Sequence, residues 1–245
     1  MWTRKELKER AKAVLKNIYW KAFLISMVIL LVGGKDSGIG GGSSRSSDST
    51  NNMAFDFTDP NVLYSIIFII IAAIGVIMLA VTLRIFLGYP LEVGGRKYFV
   101  QSAQYKDNKK CFRFAFNGQN YFGIVFTMLL KGVQNFLWFL LLIIPGIIKL
   151  YAYRMVPYIL ADNPNIGAKK AIKLSDKMTK GHKFKMFVLD LSFLGWYLLG
   201  ILALGIGALF VMPYENATKA ELYLVFRKTA LETNMCSYED LLLNN

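Results

Sequence analysis

A single histidine, His182, and two cysteines, Cys111 and Cys236, are all that 245 residues offer of the usual nitrogen and sulfur metal ligands. That scarcity argues against a metal centre. No HExxH string, Ser/His/Asp arrangement or paired-carboxylate site is present, so neither an enzyme nor a cofactor is expected. The cysteines lie far apart in segments read as cytoplasmic, where a structural disulfide is not expected. Acids are scarce too: 16 Asp and Glu stand against 29 Lys and Arg, a formal charge of +13. In a soluble chain such a surplus points to nucleic acid. No aromatic-rich basic motif of the RNA-binding kind accompanies it, and no nucleic-acid partner is expected.

Apolar residues are plentiful, at 55% with a mean hydropathy of +0.39, and they come in blocks. About 20 mostly apolar residues are needed to cross the hydrocarbon core. Hydropathy marks four blocks, Ile18–Gly34, Val62–Leu87, Tyr121–Ile148 and Phe184–Met212. The basic surplus then reads as loops held on the cytoplasmic side against anionic headgroups. The run before the first block is too long and basic for a cleaved signal peptide, so that block is expected to stay in the membrane.

Charge sets the count of crossings. Arg84–Arg113 carries seven bases and two acids, and Lys149–Lys185 nine bases and two acids, so both belong inside. An even number of crossings must separate them. The block between reads as a hairpin, with arms at 114–130 and 136–158 and a turn at Lys131-Gly132-Val133-Gln134-Asn135. The last block likewise divides at Leu204-Gly205-Ile206-Gly207, since Arg227-Lys228 argues for an inside C-terminus. The expected fold is therefore all-α, a polytopic transmembrane helix bundle of about six spans (18–34, 62–87, 114–130, 136–158, 184–203, 207–226). Four spans is the alternative. Residues 35–61, Gly/Ser-rich and holding four acids and two bases, read as an exported loop. Residues 229–245 read as a cytoplasmic tail, with both termini inside the plasma (inner) membrane.

Two cationic amphipathic interfacial helices complete the picture. Residues 1–17 begin with a Thr3/Glu6 capping box and a Trp2/Leu7 staple, and Leu7, Ala11, Val14 and Ile18 share one face. The second, 163–181, has Asn163 as N-cap, Pro164 in the first turn and Gly181 after the C-cap. Its Lys169, Lys170, Lys173, Lys177 and Lys180 form a cationic arc, which with His182 is the candidate contact for anionic lipid headgroups.

Trp2-Thr3-Arg4, the run Trp138 to Ile147 with Pro145-Gly146, Tyr158-Ile159-Leu160-Ala161-Asp162, Ala171 to Ser175, Lys180-Gly181, Phe187 to Phe193 with Gly195-Trp196, and Pro213-Tyr214 together carry a resemblance. The chain resembles an uncharacterised family of multi-pass membrane proteins of Gram-positive bacteria, known as a domain of unknown function. More distantly, Pro145-Gly146, Arg154 and Ala171…Ser175…Lys180-Gly181 are similar to the membrane domain found beside some bacterial glycerophosphodiester phosphodiesterases. The resemblance implies location and architecture but no activity.

Ionisable groups within a span are costly and need a reason. Asp190, beside Ser192, is the first candidate; it reads as an ion pair with Arg154, Arg84 or Lys149 that fixes helix register, or as a cation or proton site. Glu215 stands four residues before Lys219, the favourable order for a helical pair. Asp190, Ser192, Arg154 and Glu215 form the candidate intramembrane polar site. Pro145, Gly146, Pro157 and Pro213 are candidate helix breaks, static kinks or the lining of a transport site. Gly94-Gly95-Arg96 reads as a turn. The function expected is a non-enzymatic membrane protein that binds lipids or a protein partner or oligomer, in envelope homeostasis or peptide export. The alternative is a small permease with a midplane site near Asp190.

Overall fold

The computed structural model describes residues 2–31, 60–202 and 207–243. The stretch 35–59 and the turn expected at 204–206 lie outside the described residues. Among the described residues about 85% are helical and none lies in a strand. The described residues form ten α-helices in order: α1 Arg4–Leu31, α2 Pro60–Leu83, α3 Tyr89–Ala103, α4 Cys111–Ala115, α5 Gly118–Leu141, α6 Ile143–Ala152, α7 Val156–Asp162, α8 Ala168–Thr179, α9 Lys183–Leu202 and α10 Gly207–Glu232.

Among the described residues, five stretches are long and apolar enough to cross a membrane: Arg4–Leu30, Leu63–Ala103, Gly118–Leu141, Ile143–Asp162 and Lys183–Ile201. The sixth expected span, 207–226, falls on α10, which is long enough but too polar to join them. Leu63–Ala103 runs 41 residues, about 60 Å at 1.5 Å per residue and so twice the hydrocarbon thickness. Its two halves differ sharply. Residues 63–83 are almost all exposed, whereas Val93 to Val100 lie in the core. A π-helical turn at Arg84–Gly88 joins them, and Tyr121 donates to the Phe86 carbonyl there at 2.9 Å. α2 thus presents its sides to lipid, while α3 belongs to the packed bundle.

The first amphipathic segment is not a separate helix. α1 runs unbroken through residue 17, and Leu7, Ala11, Leu15, Ala22 and Ile29 line one buried stripe. The capping hydrogen bond from Glu6 N–H to Thr3 Oγ1 is made, at 3.3 Å. The stripe packs antiparallel on α10: Trp2 meets Phe226 edge-on at 6.3 Å and Phe23 stacks on Phe210 at 5.3 Å. Because α10 supplies an apolar partner along this length, the stripe is covered by protein rather than by headgroups.

The hairpin between the two basic segments exists, but its turn is misplaced in the sequence reading. Residues 131–135 lie inside α5, and the break falls at Leu142, whose backbone is extended (φ −160°, ψ 144°). Pro145 is the cause: it lacks the N–H that Leu141 would accept, and its ring would clash with that carbonyl. The helix therefore restarts, with Pro145 in its first turn. Gly132 does not mark a turn either; a Cβ there would stand 3.2 Å from the Tyr89 hydroxyl. The same correction applies to Gly94-Gly95-Arg96, which is helical. A Cβ on Gly95 would lie 2.5 Å from Ile29 Cδ1, so this glycine lets α1 approach α3. Pro157 opens α7 rather than kinking a longer helix, and α10 continues through Pro213.

The second amphipathic helix also starts later than expected. Asn163 ends α7, and Gly167 (φ 90°) precedes α8; Gly181 (φ 78°) follows its C-cap, as the sequence suggested. Its apolar face, Ala171, Ile172, Leu174 and Met178, is buried, while the five lysines of the arc are exposed. Ser175 and Thr179 have a specific task. Ser175 Oγ accepts the Met155 N–H at 3.1 Å and donates to the Ala152 carbonyl at 2.7 Å, and Thr179 donates to the same carbonyl at 3.3 Å. They satisfy backbone groups left open where α6 gives way to α7.

The expected tail 229–245 is helical to Glu232 and then docks. Leu241 is fully buried, Asp240 pairs with Lys170 at 2.5 Å, and Asn163 donates to the Asp240 carbonyl at 3.0 Å. Both cysteines are reduced and buried; burial pushes the Cys111 thiol up to about 11, and it donates to Gln101 Oε1.

Close approach at Gly146 gives a direct test of the hairpin. A Cβ there would meet the Phe139 ring at 2.7 Å and its Cα at 3.0 Å, whereas nothing lies within 4 Å of one at Gly195. Gly146→Ala is expected to cost about 1–3 kcal/mol, and Gly195→Ala to be neutral or stabilising by up to about 1 kcal/mol. Thermal unfolding of the detergent-solubilised protein separates the two.

Candidate functional site

The α5–α6 hairpin and the α9–α10 pair leave a groove between them with a volume of about 540 Å³. Helical spacing builds its walls. Phe187, Leu191, Leu194, Leu198 and Ile201 follow one face of α9, and Ile147 and Leu150 of α6 stand opposite, with Phe139, Ala208 and Met212 closing the ends. Four polar side chains interrupt this apolar lining: Tyr151, Asp190, Tyr197 and Glu215.

Each carboxylate is neutralised from behind. Arg154, buried in the turn between α6 and α7, grips Asp190 with both nitrogens, Nη1 to Oδ2 at 2.7 Å and Nη2 to Oδ1 at 2.9 Å. Tyr151 adds a third hydrogen bond to Oδ2 at 2.9 Å. Of the three cations the sequence offered to Asp190, Arg84 goes instead to Glu92 and Lys149 to Asp176, at 2.9 and 3.4 Å. Glu215 pairs with Lys219 at 2.7 Å along α10, and Tyr197 donates to its other oxygen. This pair does not stand out of the bundle: the side chains of Lys219 and Glu215 are 4% and 8% exposed. Two charge-balanced pairs thus give the polar part of the groove no net charge.

Other candidates fall elsewhere. Ser192 points away from the groove, into a small basic recess with Thr3, Arg4, Lys5 and Lys8, and its hydroxyl donates to the Leu189 carbonyl. Among the arc lysines, Lys170 is tied to Asp240, and Lys169, Lys173, Lys177 and Lys180 are exposed. His182 is not set out toward headgroups. Its ring packs on Phe226 at 5.3 Å and faces Trp2 at 6.4 Å. Burial, helped by the Lys185 charge, lowers its pKa.

Sequence reasoning missed two further buried networks. Arg96, 1% exposed, donates to Asn216 Oδ1 at 2.8 Å and to Tyr158 at 3.2 Å, and Asn216 in turn donates to Ser26 at 3.0 Å. Asp162 accepts from Tyr223 at 2.6 Å and Arg227 at 3.0 Å. Glu92 and Arg96, four apart beside an apolar run, were the available signal for the first. Tyr151 and Tyr197 left none, because an interfacial tyrosine and a hydrogen-bonding one look alike in sequence.

Residues 127–230 match a family described as a protein of unknown function (DUF975). That stretch is similar to an uncharacterised family. It contains every side chain of the groove together with Arg154 and Lys219, and it excludes α1, α2 and α3. No curated protein and no solved structure matches the chain.

Two outcomes follow from this geometry. Asp190→Asn leaves the buried Arg154 charge without its counter-ion and should cost about 3–5 kcal/mol, whereas Arg154→Met with Asp190→Leu should recover most of that loss. A double-mutant cycle on unfolding midpoints decides it. For His182 the lowered pKa favours the neutral ring. Its contribution to stability is present above the unfolded value near 6.5 and is lost as pH falls through the lower folded value. Unfolding midpoints should decline below about pH 6.5 less steeply in His182→Phe than in the wild type.

Proposed function

We propose that this is a non-enzymatic, multi-pass plasma-membrane protein that binds a lipid in the groove between α6 and α9–α10. The groove itself carries the reading: an apolar channel with a few fixed polar atoms is the form of a small-molecule site. Lipid-exposed side chains, Leu140 and Ile144 on one side and Leu198 and Leu199 on the other, flank it. An acyl chain would lie along the α9 wall, and a donor-bearing head would meet the oxygens of Asp190 and Glu215.

The alternative of a permease finds less support. A carboxylate that moves a proton or cation must exchange partners, whereas Asp190 is held by three hydrogen bonds. An enzyme would need a base beside a nucleophile, and both groove carboxylates are already committed to cations. Orientation rests on charge. The exposed lysines of α8 and the basic turns of α1 favour the anionic cytoplasmic leaflet, and the resemblance to Gram-positive membrane proteins supports a plasma-membrane location.

α2 supplies an internal control, since its side chains are exposed along its length and record ordinary lipid contact. A diazirine-bearing phospholipid, photolysed with the purified protein in vesicles, should label Leu191, Leu194 and Leu198 well above Ile70 and Ile77. Leu194→Trp, which fills the groove, should remove the excess and leave the α2 signal unchanged. Equal labelling of both sets, insensitive to Leu194→Trp, would end this reading.

A further inference from the structure

A second cavity, of about 400 Å³, lies apart from the groove where α1, α10 and the turn after α3 meet. Its apolar lining comes from Ala13 and Val14 of α1 and from Leu224 and Val225 of α10, with the Tyr105 ring at its edge. Glu221 lies in the same wall. The residue is 5% exposed, its carboxylate makes no hydrogen bond or ion pair among the described residues, and the charge that acts on it is that of Arg10 in the same lining. In this it differs from Asp190, Glu215, Asp162 and Glu92, each of which has a partner at 3.0 Å or less. A carboxylate that opens into a cavity without a hydrogen-bond partner is free to take a donor from a ligand.

Two cations share the lining, Arg10 and Lys228. Both already have exposed partners, Glu6 for Arg10 and Glu232 for Lys228, the latter at a loose 3.8 Å. Surface pairs of this kind are weak and exchange readily. The cavity therefore offers an anionic wall, apolar sides, an aromatic edge and a cationic rim. A metal ion suits it poorly: there is one carboxylate, two cations stand beside it, and no cluster of three ligating residues exists among the described residues.

We propose that this cavity binds an ammonium group that carries a phosphate on a short alkyl spacer, the phosphoethanolamine chemistry. The ammonium pairs with Glu221 and packs against Tyr105, and the phosphate exchanges with the surface partners of Arg10 and Lys228. Two sources share this chemistry, an aminophospholipid headgroup and a soluble phosphoethanolamine. The site does not rest on the groove, and failure of either leaves the other standing.

Native mass spectrometry of the full chain in detergent, offered equal amounts of phosphatidylethanolamine and phosphatidylglycerol, reads the site directly. The wild type should retain phosphatidylethanolamine in preference, and Glu221→Gln should lose about tenfold in that affinity. Val225→Trp fills the cavity with its charges intact and should show the same loss. It carries the comparison should Glu221→Gln fail to fold. Each comparison is run in the Leu194→Trp background, which closes the groove, so that the preference read belongs to this cavity. A Glu221-dependent signal from free phosphoethanolamine, without a lipid preference, upholds the ammonium site and assigns it a soluble ligand. Equal retention of both lipids with no signal from free phosphoethanolamine overturns the proposal. So does a preference that survives Glu221→Gln or Val225→Trp.

Discussion

A charge enclosed by apolar helices must find its counter-charge, and in this bundle the pair of Arg154 and Asp190 meets that demand between two hairpins. Arg154 comes from the turn joining α6 and α7, and Asp190 from the second turn of α9, about 10 Å beyond Lys183 along the helix. Two parallel hydrogen bonds fix direction as well as distance. A slip of α9 by one turn would strand both charges, so the register of the α9–α10 pair against α6 is set there. The groove is the space left over: the two hairpins are joined by this pair at one level and diverge along the apolar face of α9.

The other networks extend the same constraint. Arg96 ties α3 to α7 and α10 through Tyr158 and Asn216, and Asn216 reaches on to Ser26 of α1. Asp162 joins the end of α7 to α10 through Tyr223 and Arg227. α10 takes part in each of these, which accounts for its polarity. A helix facing lipid could not carry Glu215, Asn216, Lys219, Glu221 and Arg227, but one surrounded by α1, α3, α8 and α9 can. α2 is the converse, rich in isoleucine and exposed on all sides. It joins the bundle through the π-helical turn at Arg84, whose guanidinium reaches back to Glu92.

Backbone groups obey the same rule as side chains. The break at Leu142 and the turn around Arg154 expose carbonyls and N–H groups within an apolar setting. The second is closed by Ser175 and Thr179 from α8, so a helix with a cationic face also acts as a structural clamp. Its lysines are left for the surface because its apolar and hydroxyl residues are used inside. α1 divides its labour in the same way, with a buried stripe on α10 and Lys8 held over the Phe193 ring at 4.4 Å.

Composition and charge order determined a good deal here. Apolar runs of span length, separated by basic segments, specify an all-helical membrane bundle, and the like charge of the two basic segments calls for the α5–α6 hairpin between them. Asp190 stood out because a carboxylate in an apolar run needs a reason, and Arg154 was among its named partners. Tertiary structure decided what local pattern does not encode. Glycine reads the same whether it turns a chain or admits a neighbour, so Gly95 and Gly132 were legible only once α1 and Tyr89 were in place. An amphipathic stripe reads the same whether lipid or protein covers it, so the burial of α1 and α8 depended on α10 and its neighbours. The groove and the cavity at Glu221 arise between helices far apart in sequence, where no spacing rule reaches.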